Sequence, residues 1–149
     1  MNNKVVLAFS GGLDTSFCVP YLKEKGYEVH TVMVNTGGFS AEEEKSIEER
    51  ALALGAASHK NVNAVDTYYN KGIKYLIYGN ILKNATYPLS VSSERVFQAL
   101  EVLNHVKKLG AGAVAHGSTG AGNDQVRFDI VFEILAPEVK IIAPVRDEG

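Results

Sequence analysis

The sequence contains no tryptophan and only one cysteine, Cys18, among its 149 residues. A single cysteine cannot form an internal disulfide, so a disulfide-stapled secreted domain is excluded and a reducing compartment is expected. Basic residues are not in excess either, because 15 Lys and Arg face 17 Asp and Glu for a formal net charge of −2. Without a basic run, this balance indicates no nucleic-acid partner. We expect a cytoplasmic protein.

Long hydrophobic runs are also missing. The longest apolar stretches are much shorter than the roughly 20 residues that span a bilayer. The N-terminal residues lead straight into a predicted strand without a signal-peptide core, so we expect no membrane partner. Hydrophobic residues nevertheless make up 46% of the chain, which at this length is enough for one well-buried core. Residues 1–149 are interpreted as one domain.

Apolar runs and helical patterns alternate along the whole sequence. Predicted strands cover residues 4–9, 28–34, 111–115 and 139–143, and a weaker strand is expected somewhere within residues 57–65. A helical segment separates each strand from the next, so the pattern predicts an α/β fold: a doubly wound, mostly parallel five-stranded sheet with helices on both faces. In such folds, ligands bind beyond the carboxyl ends of the strands.

Polar residues and one proline mark the predicted helix ends. Ser40 and Glu43 form the pattern of a capping box at the start of the second helix, and Asp66 is expected to cap the third. Pro20 falls within the first helical segment, where it fits only in the first turn. The first helix therefore starts near residue 16, or it is kinked at Pro20. The apolar stripe of the helix after the polar segment 79–88 is predicted to be Val96, Ala99, Leu100, Leu103 and Val106.

Residues 10–16, Ser-Gly-Gly-Leu-Asp-Thr-Ser, connect the first strand to the first helix. Glycines let successive backbone N–H groups converge, and a helix N-terminus adds unpaired donors, so this loop predicts a phosphate site. The hydroxyls of Ser10, Thr15 and Ser16 can add donors. Asp14 is either an N-cap or a ligand for bound Mg²⁺. Neither the P-loop pattern nor Gly-x-Gly-x-x-Gly occurs here.

A second glycine-rich loop follows the fourth predicted strand, within residues 115–128, Ala-His-Gly-Ser-Thr-Gly-Ala-Gly-Asn-Asp-Gln-Val-Arg-Phe. Thr119, Asn123 and Asp124 offer donors and acceptors for both ends of an amino acid. Arg127 lies one helical turn further on, where it can bind a carboxylate bidentately. Because both glycine-rich loops follow parallel strands, we expect them to meet at one rim of the sheet.

A third segment, residues 87–95, combines a proline turn with a helix N-terminus that Ser92 or Ser93 is expected to cap. Such an N-terminus suits a ligand carboxylate. Among the histidines, His30 and His59 are interpreted as exposed or locally bonded, and His105 as a peripheral packing residue rather than a base. His116 borders the second loop, and whether it contacts a ligand is left open. Cys18 is interpreted as an inert buried thiol, and no cluster has structural-zinc spacing.

These motifs resemble those of the argininosuccinate synthases, a branch of the ATP pyrophosphatase group, whose loop has the form Ser-Gly-Gly-x-Asp-Ser. Thr15 between Asp14 and Ser16 is similar to that branch, and residues 115–128 match its second loop nearly residue for residue. The resemblance implies an adenine nucleotide alpha hydrolase-like, Rossmann-like fold that binds ATP and Mg²⁺. It also implies citrulline and aspartate as substrates.

The resemblance carries over to individual positions. The ATP-binding residues that it implies are Ala8, Phe9, Ser10, Gly11, Gly12, Leu13, Asp14, Thr15, Ser16, Val34 and Gly117. The implied aspartate-binding residues are Thr119, Asn123 and Asp124, and the implied citrulline-binding residues are Tyr87, Ser92, Asn123 and Arg127. It gives no general base, and Asp14 is the one candidate for a metal ligand.

The implied activity is that of an AMP-forming carbon–nitrogen ligase of arginine biosynthesis. Citrulline would be adenylated by ATP with release of pyrophosphate, and the aspartate amine would then displace AMP. Family members are homotetramers and continue for more than as long again, so residues 1–149 are expected to be the nucleotide-binding domain of a longer synthase. The alternative is an ATP-binding module without turnover. Another pyrophosphatase-type enzyme is disfavoured because cysteine pairs and a basic surface are missing from this sequence.

Overall fold

The computed structural model describes residues 2–79, 82–83, 87–88, 90–120 and 123–147. At residues 82–83, 87–88 and 90–92 the description covers the backbone alone.

A five-stranded parallel sheet forms the centre of the molecule. The described strands are β1 (Lys4–Ala8), β2 (Glu28–Asn35), β3 (Ser58–Asn63), β4 (Leu82–Lys83), β5 (Tyr87–Pro88), β6 (Ala113–His116) and β7 (Lys140–Ile142). The sheet has the order β3-β2-β1-β6-β7, while β4 and β5 form a separate antiparallel pair. The order reverses between β1 and β6, where Ala8 and His116 are register partners at the two carboxyl ends. The predicted doubly wound parallel sheet is confirmed, and its switch point lies beside the two glycine-rich loops.

Helices cover both faces of the sheet. They are α1 (Leu13–Glu24), α2 (Ala41–Ala53), α3 (Val65–Tyr68), a π-helical turn (Tyr69–Ile73), α4 (Lys74–Tyr78), α5 (Ser90–Leu109), α6 (Asn123–Leu135) and α7 (Pro144–Asp147). Alternate residues of β1 point to opposite faces. Val5 and Leu7 join the core with α1 and α2, and Val6 joins the core with α5 and α6. All three are fully buried, and burial of one such side chain stabilises the fold by about 1.5–3 kcal/mol.

The start of α1 differs from the prediction. The helix begins at Leu13, so Pro20 lies inside it rather than in its first turn. The reason is that the Gly12 carbonyl already accepts the Ser16 N–H at 3.0 Å, and the phosphate-type loop therefore leads directly into helix. The expected start near residue 16 is wrong. A kink at Pro20 stays a prediction.

Of the other predicted helix caps, one is confirmed and others are not. Both hydrogen bonds of the capping box join Ser40 and Glu43, at 3.3 Å and 2.8 Å. Asp66 caps nothing, because α3 begins one residue before it and Ala64 is the N-cap. Ser92 and Ser93 lie within the first turn of α5, which begins at Ser90.

The buried stripe of α5 is shifted from the predicted one. Val96 is 37% exposed, whereas Val102, which the prediction omitted, is 1% exposed. The helix packs on β1, β2 and β6 through Ala99, Val102, Leu103 and Val106. Its first turns are therefore free to border the cleft at the end of the sheet.

Candidate functional site

A cleft of about 500 Å³ opens where β1, β2 and β6 end. Nine of the residues expected to bind ATP line it: Ala8, Phe9, Ser10, Gly12, Leu13, Asp14, Thr15, Val34 and Gly117. Gly11 and Ser16 belong to the same loop but do not line the cleft. The Ser16 hydroxyl is buried without a hydrogen-bond partner among the described residues.

The loop after β1 is closed by its own hydroxyl groups. Thr15 Oγ1 donates to the Gly12 carbonyl at 3.2 Å and accepts the Ser10 N–H at 3.4 Å. Gly11 has φ +76°, which only glycine adopts readily. A Cβ on Gly11 would also lie 2.8 Å from Cγ1 of Ile47 in α2. The loop is therefore a tight turn that leads into the N-terminus of α1, the positive end of the helix dipole.

The structure separates the two interpretations of Asp14. The N-cap of α1 is Gly12, and it makes no side-chain cap hydrogen bond. Asp14 instead lies in the first turn of α1, with its exposed side chain at the cleft. The N-cap interpretation is wrong.

Arg50 of α2 supports the loop from behind. Its Nη1 donates to the Gly11 carbonyl at 2.5 Å, a charge-assisted hydrogen bond. This bond fixes the peptide that precedes Gly12. Arg50 carries no motif and was missed by sequence reasoning, because nothing in the sequence indicates that its helix reaches this loop.

The two glycine-rich loops touch each other at Gly117. A Cβ on Gly117 would lie 2.9 Å from Cγ2 of Thr15 and 3.1 Å from its backbone nitrogen. Only glycine therefore permits this approach. Asp124, at the start of α6, lines the same cleft. The expectation that both loops meet at one rim of the sheet is confirmed.

Two arginines hold the carboxylate of Asp124. Arg95 Nε donates to Oδ2 at 3.1 Å, and Arg127 Nη1 donates to Oδ1 at 2.8 Å. The carboxylate is thereby fixed in orientation at the rim of the cleft. Arg127 itself does not line the cleft, and neither do Thr119 and Asn123.

A polar row on α5 faces the cleft and was not predicted. Arg95 Nη1 donates to Gln98 Oε1 at 2.8 Å, and Gln98 Nε2 donates to Glu94 Oε1 at 3.3 Å. Glu94 also accepts the Thr36 hydroxyl at 2.6 Å. Glu94, Gln98 and Val102 follow the spacing i, i+4, i+8 of one helix face. If the sequence had indicated that α5 already includes Glu94, this spacing would have predicted that these side chains share one face of the helix.

The second loop begins at His116, which is 1% exposed and borders the cleft. Its ring stacks on Phe128 at a centroid distance of 5.6 Å and lies 2.9 Å from the Asp129 carboxylate. Burial lowers the pKa of His116, while the hydrogen bond to Asp129 opposes that shift.

His30 and His59 are bonded locally, as expected, whereas the buried Nε2 of His105 has no hydrogen-bond partner among the described residues. His30 is held by Ser58 at 2.7 Å, and His59 is held by Thr31 at 2.8 Å. Burial raises the pKa of the Cys18 thiol to about 12, as expected for an inert cysteine.

Two of the expected citrulline-binding side chains cannot be placed. The side chains of Tyr87 and Ser92 lie outside the described residues, so their assignment to citrulline stays a prediction. Within the described ranges, no three His, Cys, Asp or Glu side chains come together as a metal-ligand cluster. In the same ranges, every helix is too short or too polar to cross a membrane.

Fold and cleft together define the class: a Rossmann-like α/β domain with a glycine-rich loop at its switch point. NMN synthetase from Francisella tularensis has this fold, with a TM-score of 0.61 at 9% identity over 79% of this chain and 46% of that chain. NH3-dependent NAD synthetase from Campylobacter jejuni gives a TM-score of 0.59 at 12% identity over 80% of this chain and 48% of that one. These likenesses show the fold alone.

Sequence similarity then identifies the family. The family model for the "Arginosuccinate synthase N-terminal HUP domain" matches residues 4–149. Argininosuccinate synthase from Xylella fastidiosa is 49% identical over 146 residues, which is 98% of this chain and 36% of that protein. The Saccharolobus solfataricus enzyme of the same name is 49% identical over 144 residues, 96% of this chain and 36% of that protein. The chain belongs to the argininosuccinate synthase family. It spans about a third of the length of these relatives.

Proposed function

We propose that residues 1–149 form the ATP-binding domain of an argininosuccinate synthase. The observation that carries this proposal is the meeting of two glycine-rich loops, at Thr15 and Gly117, on one rim of a single cleft. One loop offers converging backbone donors at a helix N-terminus, as a phosphate chain requires. The other leads into polar side chains of the kind that bind amino acids.

In this proposal, the loop of residues 10–16 binds the triphosphate of ATP. Asp14 would hold Mg²⁺, which commonly uses one or two carboxylates together with substrate phosphates. The exposed carboxylate at the cleft fits that requirement without a larger cluster of protein ligands. The metal would supply charge neutralisation on the phosphates. Val34 at the end of β2 would border the nucleotide through its backbone.

The amino-acid substrates would lie beside the second glycine-rich loop, on the same rim of the sheet. Aspartate would be held by Thr119, Asn123 and Asp124, and citrulline by Tyr87, Ser92, Asn123 and Arg127. The fixed orientation of the Asp124 carboxylate supports its assignment, because an oriented carboxylate can accept hydrogen bonds from a substrate amine. Arg127 contacts Asp124, so a citrulline carboxylate bound by Arg127 would lie next to the Asp124 side chain.

The reaction needs little covalent participation by the protein. The ureido oxygen of citrulline attacks the α-phosphorus of ATP, and pyrophosphate leaves as citrullyl-adenylate forms. The aspartate amine then displaces AMP and gives argininosuccinate. Rate enhancement would come from alignment of the reactants and from stabilisation of phosphate charge. The first loop serves both purposes, because it holds the departing pyrophosphate in place.

The whole synthase is proposed to be longer and to act as a cytoplasmic homotetramer. The chain spans about a third of its relatives, so the remaining part would contribute the rest of the amino-acid site and the assembly surface. The same fact favours a second candidate for residues 1–149 by themselves: an ATP-binding module without turnover.

Isotope exchange between labelled pyrophosphate and ATP distinguishes these candidates. We expect citrulline-dependent exchange in a protein that carries this domain at its relatives' full length. Mg·ATP binding without exchange by the 149-residue chain would identify the module. Asp14→Asn is the informative variant, because it should weaken Mg·ATP binding more than binding of metal-free ATP. A wild-type chain that binds no Mg·ATP would contradict both candidates.

A further inference from the structure

His116 is held in one tautomer by the groups around it. Its Nδ1 accepts the Ser118 N–H at 3.3 Å, so the ring proton must be on Nε2. Nε2 then donates to Asp129 Oδ1 at 2.9 Å. With both nitrogens bonded within the protein, neither is left to exchange a proton with a substrate. The ring is therefore suited to hold other groups in position rather than to act as a base.

The Asp129 carboxylate continues this network to the C-terminal end of the described chain. Its Oδ2 accepts from Arg146 Nη1 at 2.7 Å, and Arg146 Nε donates to Asp147 Oδ1 at 3.0 Å. Asp147 Oδ2 in turn accepts the Ala143 N–H at 3.4 Å. A continuous chain of hydrogen bonds thus connects α7 and α6 with the end of β6.

The network also borders the second glycine-rich loop on two sides. The hydrogen bond from Ser118 to His116 closes a tight turn at Gly117, the residue in contact with Thr15. Further along the loop, a Cβ on Gly120 would lie 3.6 Å from Cγ of Arg146. A change that breaks the His116–Ser118 hydrogen bond would therefore let the loop move relative to the first phosphate-type loop.

We propose that His116, supported by Asp129 and Arg146, is a positioning residue that holds the loop of residues 117–120 against Thr15 so that both loops bind the same nucleotide. This role rests on the proposed ATP site. It explains why a histidine lies buried beside the cleft with both ring nitrogens already engaged. Asp129 and Arg146 hold the tautomer that accepts the Ser118 N–H.

Two substitutions of His116 distinguish the hydrogen bonds made by its two ring nitrogens. Asparagine places an amide oxygen where Nδ1 stands, so His116→Asn can keep the Ser118 bond and lose Asp129. Glutamine places its amide where Nε2 stands, so His116→Gln can keep Asp129 and lose the Ser118 bond. Both variants remove the ring that stacks on Phe128, and that shared loss cancels in their comparison. His105→Gln is the matched control outside the cleft.

The first measurement uses the unliganded chain and nitrogen-15 NMR. We expect an unprotonated Nδ1 and a protonated Nε2 on His116, and a Ser118 amide that is protected from hydrogen exchange. Protection should fall about tenfold in His116→Gln and persist in His116→Asn and His105→Gln, as the loss of one hydrogen bond requires. A protonated Nδ1, or equal protection in both His116 variants, would overturn the proposal.

The second measurement is calorimetric titration with Mg·ATP. His116→Gln should bind about 3- to 10-fold more weakly than His116→Asn, as expected when one backbone group is displaced. His105→Gln should bind like the wild type. Equal binding by the two His116 variants overturns the positioning role and leaves the ATP site intact. A wild-type chain that does not bind Mg·ATP overturns the ATP site itself.

Discussion

At the scale of single residues, Gly117 determines how closely the two loops approach. A Cβ at this position would lie 2.9 Å from Cγ2 of Thr15, which is closer than carbon atoms pack. We expect Gly117→Ala to reduce Mg·ATP affinity at least tenfold and to lower the free energy of unfolding by about 1–3 kcal/mol, because overpacking forces the backbone to shift.

Calorimetry and urea denaturation measure these two effects. Gly38→Ala is the control for stability, since a Cβ on Gly38 would meet no heavy atom within 4 Å. Unchanged affinity in Gly117→Ala would show that the contact between the loops is not needed for nucleotide binding.

Two histidines make stability depend on pH. Burial lowers the pKa of His116 and of His105, and electrostatic repulsion from neighbouring groups, including Lys108 and Lys60, lowers the pKa of His105 further. The unfolded chain therefore takes up protons first, at its ordinary histidine pKa of about 6.5. We expect the free energy of unfolding to fall as the pH drops below that value, and to level off once the folded histidines are protonated too.

Urea denaturation between pH 7.5 and pH 5.5 tests this dependence. The fall should be smaller in His116→Gln and smaller again when His105→Gln is added. An equally steep fall in the double variant would assign the pH dependence to other groups.

The thiol of Cys18 provides a separate test of burial. Burial and the negative charge of Asp14 raise its pKa to about 12, so almost no thiolate exists at pH 8. We expect iodoacetamide to leave Cys18 unmodified in the folded chain and to alkylate it rapidly in urea. Mass spectrometry measures the extent of alkylation, and rapid modification of the folded chain would contradict the buried position.

At the scale of elements, the capping box fixes where α2 begins. Ser40 Oγ accepts the Glu43 N–H, and the Glu43 carboxylate accepts the Ser40 N–H. We expect Ser40→Ala to lower the free energy of unfolding by about 1 kcal/mol, the usual effect of removing an N-cap side chain. Glu43→Gln should cost less, because glutamine can still accept the hydrogen bond. A larger loss in Glu43→Gln would contradict this assignment of the cap.

The elements also show how far the sequence determines the fold. Each strand of the main sheet overlaps a predicted one, although β2 and β6 each end one residue later than predicted, at Asn35 and His116. The central strands are apolar because both of their faces are buried, whereas the edge strand β3 is largely polar and gave a weaker signal. Helix starts were harder to predict. The first residue of α5 carries no signal distinct from the serines that follow it, and α7 is too short for any periodicity.

The site divides in the same way. Glycine loops reveal themselves in the sequence because φ angles and close approaches exclude other residues, as at Gly11 and Gly117. Arg50 and Arg95 were found only in three dimensions, since their partners lie 39 and 29 residues away. Contacts between residues this far apart in the sequence leave no pattern in the local sequence from which they could be predicted.

At the scale of the whole molecule, nucleotide binding should stabilise the fold. A ligand that binds only the folded state raises the free energy of unfolding by about 2.7 kcal/mol at a hundredfold excess over its dissociation constant. We expect Mg·ATP to raise the denaturation midpoint of the wild-type chain and to raise that of Gly117→Ala much less. Differential scanning fluorimetry measures both shifts. Equal shifts would place the nucleotide away from the contact between the loops.

The sheet order has a consequence for the order of folding. β1 carries the first loop and is synthesised well before β6, yet β6 is its neighbour on one side, where Val5 pairs with Ala113. The entropic cost of closing such a long loop must be met before the pairing stabilises the sheet, so pairings of this kind form slowly. During translation, β1 and the loop that follows it therefore lie at an open edge of a partial sheet until β6 has been made. A nascent chain can form its nucleotide pocket only after most of the domain has left the ribosome.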